Sequence, residues 1–169
     1  MRKGNLMNKG ITVILMGSPS DLPHVEKITN TLSIFGIASE QRIASAHKTP
    51  GKLLDILEEY ENHDLPKVYI TVAGRSNALS GLVDAQVRSP VIACPPSSDS
   101  FGGADIFSSL RMPSGVAPMV VLDPANAALA AAKILAIYDP EIKQAVLEFQ
   151  RENSKRLTDA DMELKEPDA

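Results

Sequence analysis

Residues 11–16 read Ile-Thr-Val-Ile-Leu-Met and stop at Gly17. No charge, proline or glycine interrupts this aliphatic and β-branched run. Such a run is too short for a free-standing helix and reads as a strand buried on both faces. A strand of that kind needs helices above and below it. The constraint admits few architectures, and the rest of the chain selects among them.

Residues 21–36 follow with Val25, Ile28, Leu32 and Phe35 at helical spacing. Asp21 is placed to cap this helix and Gly36 to stop it. A second strand is predicted over 38–43. Thr49 and Pro50 form a cap-then-proline start for a helix, with Leu53, Leu57 and Tyr60 on one face. Lys-Val-Tyr-Ile-Thr-Val at 67–72 reads as strand three, followed by a helix around 77–86. Strand four is predicted at 90–94 and strand five at 117–122. Asp123-Pro124 and Asp139-Pro140 each open a further helix.

Strand–helix alternation predicts a three-layer α/β/α domain with a central parallel sheet, of the flavodoxin or Rossmann kind. The chain has 169 residues, 44% of them apolar, which suits a single domain with its own core. Aromatics are only 4% and Trp is absent, so the core is aliphatic. The organisation expected is a tail at 1–10, a folded domain at 11–156, and an acidic, frayed tail at 157–169.

Net charge is −4, which argues against broad nucleic-acid or anionic-membrane binding. No apolar run reaches the length of a membrane span. One cysteine, Cys94, excludes an intrachain disulfide and fits a cytoplasmic protein. His24, His47 and His63 lack metal-binding spacing, so no metal site is expected.

In open parallel sheets, ligands sit beyond the C-terminal ends of the strands. That rule selects the loops 17–21, 44–49, 73–79 and 94–103. The first, Gly-Ser-Pro-Ser-Asp, offers the Ser18 and Ser20 hydroxyls and helix-terminal N–H groups to one phosphate, with Asp21 free for a sugar hydroxyl. An ordinary serine or aspartate helix cap is the alternative. The second, Ser-Ala-His-Lys-Thr-Pro, pairs an imidazole able to take or give a proton, His47, with a cation, Lys48. A solvated surface histidine is its alternative. In the third, Gly74 allows close backbone approach and Arg75 is a planar donor, while Asn77 suits a cap or a ligand equally. The fourth carries paired prolines, two glycines and Cys94, which reads better as a buried thiol than as a nucleophile.

Together the segments Leu-Met-Gly-Ser-Pro-Ser-Asp, Ser-Ala-His-Lys-Thr-Pro, Val-Ala-Gly-Arg-Ser-Asn-Ala-Leu and Ser-Ser-Leu-Arg-Met-Pro-Ser-Gly resemble the PurE family of de novo purine biosynthesis over about residues 11–150. The family has two branches. One is the mutase that rearranges N5-carboxyaminoimidazole ribonucleotide. The other carboxylates 5-aminoimidazole ribonucleotide (AIR) with CO2 and forms part of an animal bifunctional enzyme. Three departures from the mutase pattern look like the carboxylase branch: Lys48 for arginine, Ala-Cys-Pro-Pro at 93–96, and Arg75 and Asn77 in a loop without histidine.

The resemblance implies AIR carboxylation to 4-carboxy-AIR (CAIR) without ATP, biotin, metal or other cofactor, in a homo-octamer. It implies His47 as the proton-transfer group. Ser18, Ser20 and Lys48 would hold phosphate and Asp21 the ribose. Gly17, Ser45, Ala46, Gly74, Arg75, Ser76, Asn77 and Leu79 would line the remainder. The mutase is the nearest alternative, and a non-catalytic sugar-phosphate or flavin-binding module a remoter one.

Overall fold

The computed structural model describes residues 10–165. The expected N-terminal tail thus lies almost wholly outside the described residues. Five strands, β1 (Ile11–Met16), β2 (Ala38–Ile43), β3 (Lys67–Val72), β4 (Val91–Ala93) and β5 (Met119–Val120), form one sheet in the order β2-β1-β3-β4-β5. Every neighbouring pair is parallel. Six helices cover it: α1 (Leu22–Ile34), α2 (Pro50–Glu61), α3 (Ala78–Gln86), α4 (Phe107–Leu110), α5 (Pro124–Leu135) and α6 (Pro140–Lys165). This is the flavodoxin strand order, so the three-layer expectation holds.

Strand alternation explains the two cores. In β1, Ile14 and Met16 point to one face and join Val25, Ile28 and Leu32 of α1 and the alanines of α5. Val13 and Leu15 point to the other and join Leu53, Ile56 and Leu57 of α2 and Val83 of α3. All four β1 residues are essentially without exposure, as the uninterrupted apolar run demands. The Ala-rich stretch of α5 lets that helix lie close to α1 and β3. Ala127, Ala128, Ala131 and Ala132 are all fully buried there.

The predicted strands and helices are found, with local differences. The edge strand β2 is largely exposed, unlike the central strands. β5 spans two residues rather than 117–122, because Pro118 has no N–H to give and only Met119 and Val120 pair with β4. Asp21 does not cap α1, and Thr49 does not cap α2 through its side chain. The segment expected to fray after 157 is helical as far as Lys165, where it is exposed and braced by Lys155–Asp159 and Lys165–Asp161 pairs at helical spacing. Gly36 ends α1 in the left-handed region, at φ 67°, as a C-terminal glycine should.

Ile14→Ala should cost about 2–5 kcal/mol of stability, because a fully buried β1 side chain leaves a cavity between two packed layers. Urea unfolding followed by circular dichroism measures this. A loss below about 1 kcal/mol would mean that the layer can collapse around the gap.

Candidate active site

The parallel sheet sends every strand-to-helix loop out at one edge. Four of them meet there around a cavity of about 570 Å³. It is lined by Gly17, Ser18, Ser20 and Asp21, by Ser45, Ala46, His47 and Lys48, by Ala73, Gly74, Arg75, Ser76 and Leu79, and by Pro96, Ser97, Ser98 and Ser100. Twelve of the thirteen residues singled out in the sequence are in this lining. Asn77 is the exception.

The first loop is a short 3-10 turn, Pro19–Asp21, closed by a reciprocal cap. The Ser18 N–H donates to Asp21 Oδ2 at 3.0 Å, and the Ser20 N–H donates to Ser18 Oγ at 3.3 Å. Asp21 therefore folds back onto its own loop instead of capping α1. The Ser18 and Ser20 hydroxyls lie 2.8 Å apart and both line the cavity. Partial burial pushes the Asp21 carboxyl above its ordinary value, against the Ser18 N–H, which stabilises the charged form.

The second loop is a single turn clasped at both ends. The Thr49 N–H donates to the Ser45 carbonyl at 2.9 Å. The Ser45 N–H donates to Thr49 Oγ1 at 2.9 Å, and the Lys48 N–H donates to Ser45 Oγ at 3.2 Å. The Thr49 hydroxyl is engaged here, which is why it is not free to cap α2. Ala46 is half-buried and packs against the core beneath the turn. His47 and Lys48 are exposed at the cavity rim.

The third loop turns sharply at Arg75, which has φ 58°. Asn77 explains how that conformation is held. Its Oδ1 accepts from the Ser80 N–H at 3.2 Å, and its Nδ2 donates to Ser109 Oγ at 2.9 Å. The Asn77 N–H donates to Ser108 Oγ at 2.9 Å, and the Ser108 hydroxyl lies 2.9 Å from the Arg75 carbonyl. Asn77 is thus buried and fully engaged. Of the two readings of this residue, the structure places its side chain in the cap and in a strap to α4, not at the cavity.

Several residues in and around the site carry no motif of their own. Ser97, Ser98 and Ser100 line the cavity, and only their position after strand four pointed to them. Ser108 and Ser109 tie the Arg75 loop down across more than thirty residues. His24, in the first turn of α1, has its Nε2 at 3.3 Å from the Sγ of Cys94, the residue after β4. Burial, and then Lys27, push the imidazole below its ordinary value, against the pull of Asp21 and Asp123. Cys94 is fully buried, as expected of a structural thiol, and burial pushes it up to about 12. Among the described residues no group of three or more His, Cys, Asp or Glu is arranged to hold a metal ion, and no helix is long and apolar enough to cross a membrane.

A doubly wound parallel sheet, with hydroxyls, a lysine and a histidine converging on a cavity beyond its strand ends, defines an α/β protein with a small-molecule site. The model of the family described as AIR carboxylase matches residues 11–156, and the chain belongs to that family. It is 59% identical over 153 residues to a phosphoribosylaminoimidazole carboxylase of Archaeoglobus fulgidus, covering 90% of this chain and 84% of the relative. It is 55% identical over 155 residues to the enzyme of the same name from Treponema denticola, covering 92% and 98%. The crystal structure of Treponema denticola PurE superposes with a TM-score of 0.91 at 54% identity, over 92% of this chain and 99% of that one. The resemblance read from the four loops is therefore correct. The carboxylase branch is the one that these relatives name.

Cys94 should not react with a disulfide reagent such as DTNB while the protein is folded, because its thiol is both buried and protonated at working pH. One equivalent should be released on unfolding in guanidinium. Rapid labelling of the native protein would mean that the His24–Cys94 contact opens readily.

Proposed function

We propose that this chain is an AIR carboxylase, a carboxy-lyase that joins CO2 to C4 of AIR to give CAIR and runs the reverse decarboxylation. The observation that carries this reading is the convergence of His47, Lys48, the Ser18–Ser20 hydroxyls and the Gly74–Ser76 backbone on one cavity in a member of this family. The mutase reading is not favoured, since the two relatives at 55–59% identity are both named carboxylases.

The chemistry starts from the substrate. The exocyclic amine of AIR pushes its electron pair through the ring onto C4. C4 attacks the carbon of CO2, a C–C bond forms, and one C=O pair moves onto oxygen. C4 then carries both hydrogen and carboxylate. His47 takes the C4 proton as general base, and the electrons of that C–H bond restore the aromatic ring. In the reverse direction the imidazolium returns the proton to C4. Positioned proton transfer of this sort is typically worth about 10²–10⁴-fold. Holding the ring against CO2 supplies much of the remainder.

Ser18, Ser20 and Lys48 bind the 5′-phosphate, using hydroxyls and a point charge. Asp21 has one oxygen committed to the Ser18 N–H and offers the other to the ribose. Gly17, Ser45, Ala46, Gly74, Arg75, Ser76 and Leu79 shape the rest of the cavity. No ATP, biotin or metal takes part in this scheme, because the amine itself activates C4. The protein acts in the cytoplasm, in keeping with its single unpaired cysteine.

His47→Asn should retain ribonucleotide binding and lose turnover by about 10²–10⁴-fold. Lys48→Ala should raise KM more than it lowers kcat. Both are read from CAIR formation with AIR plus bicarbonate and CO2, beside a parallel assay with N5-carboxy-AIR. Turnover of the N5-carboxylated substrate alone would move the assignment to the mutase. Near-normal turnover in His47→Asn would remove His47 from proton transfer.

The same reading makes the chain a homo-octamer. Exposed apolar side chains support association: Ile137 and Tyr138 are 75% and 65% exposed at the corner between α5 and α6, and Phe107 is 65% exposed on α4. Light scattering on the purified protein should return about eight times the 18.1 kDa chain mass, and a monomer would refute the assembly.

A further inference from the structure

Arg75 lines the large cavity and has its backbone in the left-handed region, at φ 58°. A residue with a Cβ is uncommon there and carries a steric penalty, so its surroundings must impose the conformation. Two contacts do so. On one side, Gly74 lies so close to Pro96 that an added Cβ would stand 3.3 Å from the proline Cγ. On the other, the Ser108 hydroxyl lies 2.9 Å from the Arg75 carbonyl, and Ser108 Oγ accepts from the Asn77 N–H at 2.9 Å. The chain is thus fixed on both sides of Arg75.

Among the described residues, Ser108 is the one side chain bonded to both the Arg75 carbonyl and the Asn77 N–H. It reaches them from α4, 33 and 31 positions further along the chain. Ser109 backs the strap, its Oγ accepting from the buried Asn77 Nδ2 at 2.9 Å. The Arg75 side chain is committed to nothing by comparison. It is exposed, and its guanidinium makes no hydrogen bond or ion pair among the described residues. A planar group with five donors therefore stands at the cavity with its donors available.

We propose that Ser108 is a positioning residue for the reaction, acting through Arg75. Its hydroxyl holds the Arg75 backbone left-handed and so keeps the guanidinium at the cavity. The inference rests on the reading of that cavity as the AIR site. The backbone sets the direction of the Cα–Cβ bond, so a change from the left-handed to the right-handed region swings the side chain elsewhere. Without the hydroxyl, the N–H of buried Asn77 loses its acceptor and the Arg75 carbonyl its donor. The loop then gains by relaxing into the ordinary region. Only the fraction of molecules still left-handed presents Arg75 correctly, and activity falls by that fraction. Arg75→Gly removes both the strain and the side chain that the strap serves.

The test is a double-mutant cycle on CAIR formation, with wild type, Ser108→Ala, Arg75→Gly and the two together. Ser108→Ala should lower kcat/KM by about 5- to 100-fold, the range set by the strain released. The loss should fall on the same constant, kcat or KM, as in Arg75→Gly. In the Arg75→Gly background, Ser108→Ala should change kcat/KM by less than about twofold. Ser108→Thr keeps the hydroxyl and should retain most of the activity, which separates the bond from the packing. Losses that multiply, or an Arg75→Gly enzyme as active as wild type, overturn the inference. A second readout does not depend on the reaction. Trypsin cuts after arginine, and the strap holds the groups on either side of Ser76. Ser108→Ala should therefore speed cleavage of the Arg75–Ser76 bond over wild type and Ser108→Thr, as read by mass spectrometry. Equal rates overturn the strap. Strap-dependent cleavage in a wild type that does not carboxylate AIR instead overturns the AIR reading and leaves the strap standing.

Discussion

The parallel hydrogen-bonded ladder of β1, β3 and β4 is the constraint on which everything else depends. Its residues alternate between two buried faces, so helices must cover both. Parallel pairing forces each connection to cross over and return, and all strands therefore end at the same edge. Whatever follows a strand, a Gly-Ser-Pro-Ser loop or an Ala-His-Lys turn, is delivered to one place. The cavity-lining residues run from Gly17 to Ser100 and owe their meeting at one edge to the sheet.

Delivery to one edge does not aim a side chain. Each loop is aimed by its own small hydrogen-bond closure. Asp21 and Ser18 close the first, Ser45 and Thr49 the second, and Asn77 with Ser108 and Ser109 the third. In every case the closing groups are consumed in doing so. What remains outward-facing is a hydroxyl pair, a histidine beside a lysine, and a strained Arg75 backbone. The division explains why Thr49 and Asp21 fail as helix caps. Their side chains are already engaged in shaping the site, and the two helices begin with proline in the first turn instead.

Much of this was legible in the sequence because it is local. The uninterrupted run at 11–16, the helical spacing of Val25, Ile28 and Leu32, and the Asp-Pro starts at 123 and 139 each depend on residues a few positions apart. The loop positions followed from the same pattern, through the rule on strand ends, and most of the expected site residues lie at one cavity. The unread parts depend on residues far apart. Asn77 could be assigned to a cap rather than a ligand only once Ser109 was seen beside it. His24 could be read only as a histidine without metal-binding spacing, because its partner Cys94 stands seventy positions away. Pro118 was a visible signal for a short β5, and the aliphatic residues around it outweighed it.

The proposed reaction asks two different things of one site. Proton transfer at C4 asks for a base in contact with water, and a ribonucleotide phosphate asks for donors held in a fixed place. The turn after β2 leaves His47 exposed at the cavity rim. The closed first loop instead holds the Ser18 and Ser20 hydroxyls 2.8 Å apart. An exposed position and a fixed one are opposite demands on the same cavity. The strand-end edge can meet both, because the turn after β2 comes from the exposed edge strand and the Ser18 loop from the buried central strand β1.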